Sequence, residues 1–424
     1  MNHVYTRLAR KTLAAAGFRG ALTLTLFSAG LLLAARPAQA QYETVYYNFP
    51  EIPYGETGGP ESPLTFNGTT FFGTSDRGGS ESNGLVYSVP AGKPGYETNL
   101  YSFTGGSDGA LPAYSAVTMG KDGVLYGTTS LGGANGCGVV WQLTPDGVNY
   151  TESTLYSFPA PPGANENDDN CTPMYGVILG KNGDLFGTTT YSGQAGGTGG
   201  SVFELQKNSD GEWTEKSLYT FPYGALSGLT MDADGNLYGV GSTSEDYGYL
   251  FELNKVGGKW TPTVIYTFTN SKDGNGPFST PVLDAAGNIF GTSESGGTAE
   301  GLPGVVFEAS PNTKKPGQWT FRLLHAFNGK GWGGSPTGVI LDQSGNIYGT
   351  TQYGGPKDGY GVLYELVAPV AEGKSYTEKV LLSFDDEDGN APLAPPTFDN
   401  SGNLYGATSQ GGAYSAGLVY EYVP

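Results

Sequence analysis

From residue 42 onward the chain is a succession of short apolar runs cut by turns rich in Gly, Asn and Asp. Residues 174–221 show one full cycle. An apolar run, 174–179, meets the turn Lys181-Asn182-Gly183, and a second run follows at 184–190. A Gly-rich stretch, 192–200, leads to Ser201-Val202-Phe203-Glu204-Leu205. The polar turn Ser209-Asp210-Gly211 then gives a last run, 213–221. Strand-length runs joined by Asn-Gly or Asp-Gly are the signature of β-hairpins, so the cycle predicts four antiparallel strands.

The cycle recurs. A Leu/Ile/Phe-Tyr/Phe-Gly phrase places glycines at Gly73, Gly127, Gly187, Gly239, Gly291, Gly349 and Gly406, spaced 54, 60, 52, 52, 58 and 57 residues apart. Four strands per repeat of this length describe the blade of a β-propeller. The third strand returns as Gly-x-Val-aromatic, for example Gly138-Val139-Val140-Trp141 and Gly304-Val305-Val306-Phe307. The fourth ends in Phe at 103, 158, 221, 268, 327 and 384. That makes six outer strands against seven glycine phrases. The missing copy stands at the other end of the chain, where residues 42–49 (YETVYYNF) match 150–158 (YTESTLYSF) in all but one residue of length. A linear array has no use for this offset. A ring does, because the N-terminal strand can complete the last blade and remove both open edges. The expected fold is therefore an all-β, seven-bladed propeller over 41–424, its seven repeats spanning about 60–424 and closed by strand 42–49.

Read in order, Leu125-Tyr126-Gly127-Thr128-Thr129, then Gly132-Gly133, then the Gly-x-Val-aromatic strand, then Leu155-Tyr156-Ser157-Phe158 form a long composite motif. It resembles the GloVer-type tandem repeat of exported bacterial proteins described as choice-of-anchor tandem repeat proteins. The resemblance covers essentially all of residues 42–424. It implies export and a repetitive β architecture, and no enzymatic activity. Two departures stand out: the chain stops after its last strand, at Val423-Pro424, and residues 242–249 lack the Gly-Gly pair of the other copies.

Residues 1–40 read as a secretory leader. Arg7, Arg10, Lys11 and Arg19 form a basic start, 20–35 are an apolar stretch, and Ala38-Gln39-Ala40 offers a small-x-small cleavage pattern. Five of the 21 Lys and Arg but none of the 40 acids precede residue 41, so removing this segment takes the formal charge from −19 to −24. Such a chain will not hold nucleic acid by neutralising phosphates. It should repel anionic membranes, and the excess of acid reads first as solubility outside the cell, with attraction of cations or cationic ligands as the alternative. No transmembrane segment is expected after leader cleavage. The reading is a monomer, secreted or periplasmic.

Candidate chemistry falls on one face of the expected ring, where loops joining strands two and three lie beside the links between blades. Cys137 sits in such a loop and Cys171 in the link leaving the same blade, so an exported protein should join them as a disulfide. Closing that interval contributes roughly 3–4 kcal/mol in the loop-entropy model. Asp108, Asp169, Asp273 and Asp388 each stand four residues before a proline that opens the next inner strand. As a ring of carboxylates they could hold Ca²⁺ through oxygen ligands, the one cofactor the sequence suggests. As turn residues they would accept backbone N–H bonds beside a glycine. Tyr114, Tyr191, Tyr353, Tyr360 and Trp332 lie in the same loops, and aromatic rings beside polar groups suit sugars.

Other residues carry less. Glu204, Glu252, Glu308, Glu365 and Glu421 share one position of the third strand and read as blade-packing groups, since a catalytic group is not needed five times. His325, the only histidine beyond the leader, takes the place of a repeat tyrosine, which excludes a multi-His metal centre. No phosphate-binding loop, dinucleotide fingerprint or zincin motif is present. No catalytic residue is assigned. The expected function is an exported, non-enzymatic protein, a scaffold or one that binds a ligand, extracellular polysaccharide or protein partner. The alternative is a carbohydrate-active hydrolase or lyase working through paired carboxylates, for which Asp168-Asp169 is the crude candidate.

Overall fold

The structure, a computed structural model, describes residues 42–50, 59–112, 114–160, 172–190, 199–224, 227–243, 247–269, 272–297, 303–315, 317–329, 331, 333–356, 359–370 and 375–424. The leader, Asp169, Cys171, Tyr191, Trp332 and the Asp168-Asp169 pair lie outside the described residues.

Seven four-stranded antiparallel sheets follow one another along the chain. Blade I comprises Thr65–Phe66, Thr70–Ser75, Leu85–Pro90 and Thr98–Ser102. Blades II to VI repeat this order over 118–157, 178–220, 230–267, 282–326 and 334–383. Blade VII draws Thr397–Phe398, Leu404–Thr408 and Leu418–Val423 from the C-terminus, and its outer strand is Tyr42–Asn48. That strand runs antiparallel from Tyr42↔Val423 to Asn48↔Leu418, with one bulge between Val45 and Tyr47. The ring is closed by the N-terminal strand, as the sequence predicts. Among the described residues the one helical feature is a 3₁₀ turn, Lys121–Gly123.

The seam between blades VII and I is bonded on both sides. Tyr46 Oη donates to the Pro90 carbonyl at 2.6 Å and accepts the Lys93 N–H, and Tyr47 Oη donates to Glu97 at 3.4 Å. Nearer the axis, Thr397 Oγ1 donates to the Leu64 carbonyl at 2.6 Å and Asn400 Nδ2 to that of Gly68 at 3.1 Å.

The repeated phrase has a steric cause. Each of its glycines pairs across the sheet with the aromatic residue of the third strand: Gly73 with Tyr87, Gly127 with Trp141, and so on to Gly406 with Tyr420. A Cβ at any of the seven would meet an atom of that ring within 2.7 Å. The threonine after the glycine ties neighbouring blades. Thr74, Thr128, Thr188, Thr292 and Thr350 each donate Oγ1 to a carbonyl on the inner segment of the next blade, at 2.8–3.1 Å.

Those side-chain bonds also explain where the inner strands depart from expectation. The apolar run 174–179 reads as six strand residues, yet only Ile178–Leu179 is a strand; five of the other blades likewise have two-residue inner strands, blade VI alone having eight. Three residues before the inner strand in four of the blades, a serine hydroxyl replaces the carbonyl ladder. Ser62, Ser115, Ser227 and Ser279 accept the N–H of Thr74, Thr128, Val240 and Thr292 at 2.9–3.2 Å. Backbone groups freed in this way are satisfied without a ladder.

Candidate functional site: the axial cavity

The inner segments of all seven blades wall a cavity of 640 Å³ on the ring axis. Its polar wall includes Glu61, Ser335, Thr337, Gln352 and Glu294, and its rings are Tyr114, Tyr175 and Phe278. Among the described residues that line it there is no Lys, Arg or His. A cavity of this size matches pockets that hold drug-sized molecules.

The aromatic wall is held in place. Tyr114 and Tyr175 rings lie 6.1 Å apart at 31°, and Tyr175 Oη reaches across to donate to the Phe278 carbonyl at 3.2 Å. Tyr114 takes φ = 47°, a left-handed conformation unfavourable for a bulky residue, at a cost of roughly 1–2 kcal/mol. Strain of that kind persists where the surroundings hold it, and it collects at ligand sites.

The carboxylates feel one another. Burial pushes Glu61 up to about 7, the charge of Asp76 adding to the rise and Arg77 opposing it. Burial also raises Asp76, against the Arg77 guanidinium, whose Nε stands 3.5 Å from Oδ2. Glu294 is an exposed residue whose carboxyl is raised by partial desolvation. Burial, and then the charges of Glu61, Asp76 and Glu294, push the Tyr114 hydroxyl up to about 12. Residues from blades I, II and V therefore share one electrostatic environment.

The residues expected from sequence divide. Tyr114 lines the cavity. Tyr353 stands with its ring against Gly334, its hydroxyl raised by burial and by Glu294. Tyr360 packs beside the core of blade VII. The described link acids are engaged locally. Asp108 accepts Tyr101 Oη at 2.9 Å, the Thr104 N–H at 2.7 Å and Thr104 Oγ1 at 2.5 Å. Asp273 accepts the same three groups from Tyr266 and Thr269, at 2.7–3.0 Å. Asp388 accepts the Asp385 N–H at 2.7 Å. None of the three lines the cavity, and among the described residues no three of His, Cys, Asp or Glu are grouped to hold a metal ion. Cys137 is buried and is not a free thiol. His325 Nε2 faces Glu378 of the neighbouring blade at 3.0 Å, away from the cavity. Glu252, Glu365 and Glu421 accept hydroxyls of Tyr238, Tyr348 and Tyr405 from the adjacent strand.

Sequence reasoning missed Glu61, Asp76, Glu294 and Tyr175. A signal existed for two of them. Three residues after each repeat glycine stand Asp76, Ser130, Thr190, Ser242, Glu294, Gln352 and Ser409, so two blades carry an acid where five carry a neutral group.

The model of the Gloeobacter/Verrucomicrobia repeat matches residues 25–240 and 225–424. The chain belongs to this repeat family. No curated protein matches it. Among solved structures this repeat protein is similar to one from Bacteroides uniformis ATCC 8492 described as a candidate 6-phosphogluconolactonase. That likeness has 14% identity and a TM-score of 0.53, covering 84% of this chain and 99% of the other. It is also similar to PorZ, a surface component of the type-IX secretion system of Porphyromonas gingivalis, with 14% identity and a TM-score of 0.50. There the match covers 85% of this chain and 46% of PorZ. These likenesses establish the fold alone. No helix among the described residues is long and apolar enough to cross a membrane.

Proposed function

We propose that this repeat protein is exported and binds a carbohydrate in the axial cavity, acting as a binding protein and not as an enzyme. The observation that carries the reading is the pairing of the Tyr114 and Tyr175 rings with hydroxyl, amide and carboxylate groups around one 640 Å³ space. Ring faces take up the C–H faces of a sugar, and the polar groups orient its hydroxyls. The leader and the excess of acid fit a secreted or periplasmic monomer. The inner wall is bonded blade to blade, so the site is held in shape before a ligand arrives, which limits the ordering cost of binding.

A glycan-array screen of the protein lacking residues 1–40, with and without EDTA, tests this reading. Binding to a saccharide class that EDTA leaves intact and Tyr114→Ala removes is expected. Silence across the array, or binding that ignores Tyr114→Ala, contradicts it.

One observation favours a second reading. A carboxyl that burial pushes up to about 7 in a cavity wall is suited to proton transfer at neutral pH, so Glu61, with Glu294 in the same wall, favours the hydrolase or lyase alternative. Product release from a bound saccharide, lost in Glu61→Gln, distinguishes it from binding alone.

A further inference from the structure

We infer that the saccharide held in the axial cavity carries a hydrocarbon substituent, an alkyl or acyl chain, which occupies the inner part of the cavity while the sugar stays near the inter-blade links. This rests on the carbohydrate reading and names the chemical class that the wall selects.

Burial alternates along the inner segments, as it must where one side chain turns between blades and the next turns to the axis. Leu64, Val117, Val177, Leu229 and Val339 are at most 4% exposed and belong to the cores between blades. The intervening residues are half-buried and line the cavity in successive levels. At the end nearest the links stand Glu61, Tyr114, Met174 and Leu393, with Phe278 41% exposed beside them. Two residues farther along come Pro63, Ala116 and Pro395. Two residues beyond these are Ile178, Val282 and Ile340, each paired with the aromatic that precedes a repeat glycine.

Polarity falls along the same path. Gln352 lies at the link end, opposite Ser335 between the pairs Gly334↔Tyr353 and Pro336↔Thr351. Farther in, wall hydroxyls are already bonded within the protein. Tyr175 Oη donates to the Phe278 carbonyl at 3.2 Å, Ser279 Oγ accepts the Thr292 N–H at 3.2 Å, and Thr337 Oγ1 bonds to Thr350 Oγ1 at 2.7 Å. Thr118 Oγ1 donates to the Val177 carbonyl. A sugar pushed into this region would give up water for a wall that returns few hydrogen bonds. A hydrocarbon chain gains there, by up to about fourfold in affinity per buried methylene. The four residues from Phe278 to Val282 span about 13 Å of extended chain, room for a sugar ring followed by a short chain.

Calorimetry on the protein lacking residues 1–40 tests the inference with methyl β-glucoside, hexyl β-glucoside, 6-O-hexanoylglucose and n-hexanol. At least one of the two chain-bearing sugars should bind about tenfold or more tightly than methyl glucoside, and which one does so tells an alkyl glycoside from an acylated sugar. The double variant Ile178→Thr/Ile340→Thr should remove most of that gain and leave methyl glucoside binding unchanged. It should stay folded, because Thr65, Thr118, Thr230 and Thr397 hold the same register in the other blades. Either single change should show a smaller loss in the same direction. No gain from the chain, or a gain that survives in the folded double variant, overturns the substituent inference and leaves the carbohydrate reading standing. Hexanol binding as tightly as the better chain-bearing sugar overturns the carbohydrate reading, and with it the saccharide part of this inference, since the sugar then contributes nothing.

Discussion

Phe49, at the end of the N-terminal strand, lies edge-on to Tyr87 of blade I, ring centroids 5.0 Å apart. This is the seventh instance of one contact. Phe103 meets Trp141, Phe158 meets Phe203, Phe221 meets Phe251, Phe268 meets Phe307, Phe327 meets Tyr364, and Phe384 meets Tyr420, at 4.6–5.9 Å. Each outer-strand Phe therefore staples its blade to the third strand of the next. The partner ring is the one that forbids a side chain at the repeat glycine. A residue from the start of the chain completes a cycle begun at its end.

Closure should be cooperative and dependent on the first strand. Deleting residues 41–49 exposes the edge of Leu418–Val423 and leaves Tyr87 without its staple. Aggregation or a large fall in melting temperature is expected. The milder Phe49→Ala should cost about 3–5 kcal/mol in denaturant unfolding. An unchanged melting curve for a soluble monomer contradicts the role given to this strand.

The repeat glycines should not tolerate a methyl group. Gly127→Ala drives its Cβ into Trp141, so the expected result is failure to fold or a destabilisation beyond about 3 kcal/mol. Gly147 is a hairpin-turn glycine with positive φ and open surroundings, and alanine there should cost only about 1 kcal/mol. Similar losses at both positions would show that packing against the ring is not the cause.

These features differ in how far the sequence disclosed them. The glycine phrase, the terminal Phe and the offset of residues 42–49 are one-dimensional records of contacts made identically in each blade, so repetition exposes them. The axial cavity is different. Glu61, Tyr175 and Glu294 stand far apart in the chain and meet only because the ring brings seven inner segments to one axis. Tyr114 was visible as a loop aromatic, but its left-handed backbone was not. The link acids illustrate the converse: their regular spacing suggested convergence, whereas Asp108 and Asp273 each serve the Tyr and Thr of their own link.

The link acids are accordingly predicted to organise turns and to hold no calcium. Millimolar Ca²⁺ should leave the melting temperature unchanged, and Asp273→Asn should cost about 1–2 kcal/mol through a weakened hydrogen-bond set. Burial alone would raise the Asp108 carboxyl, but the bonds from Thr104 and Tyr101 outweigh it and hold it below its ordinary value. Its stabilising contribution is thus complete above the usual carboxylate range and is lost as pH falls through the lowered value. A calcium-dependent rise in melting temperature that Asp273→Asn removes would contradict this.

Glu61 predicts the opposite pH dependence. Its carboxyl is raised to about 7, facing Asp76, Arg77 and Tyr114, so the folded state favours the protonated form. The associated stability is complete below the ordinary carboxylate value and is lost as pH rises toward and through 7. Glu61→Gln should therefore raise the melting temperature at pH 8 relative to wild type and leave it little changed at pH 4. A variant with no pH-dependent difference contradicts the placement of this group.

Cys137 should be joined to Cys171. Mass spectrometry of the non-reduced protein, digested without thiol exchange, should yield a peptide linking the two, and removing the bond should cost roughly 3–4 kcal/mol. Two alkylatable thiols in the native exported protein would contradict the pairing.

The central proposal is that the axial cavity is a ligand site. The most direct measurement is the dissociation constant of the best array-selected saccharide for the wild type and for Tyr114→Ala, at pH 7 and with both melting curves recorded. A loss of affinity of at least about tenfold in a folded variant is expected, since alanine removes the ring proposed to stack on the sugar. Equal affinities in two folded proteins would place the ligand elsewhere and contradict it.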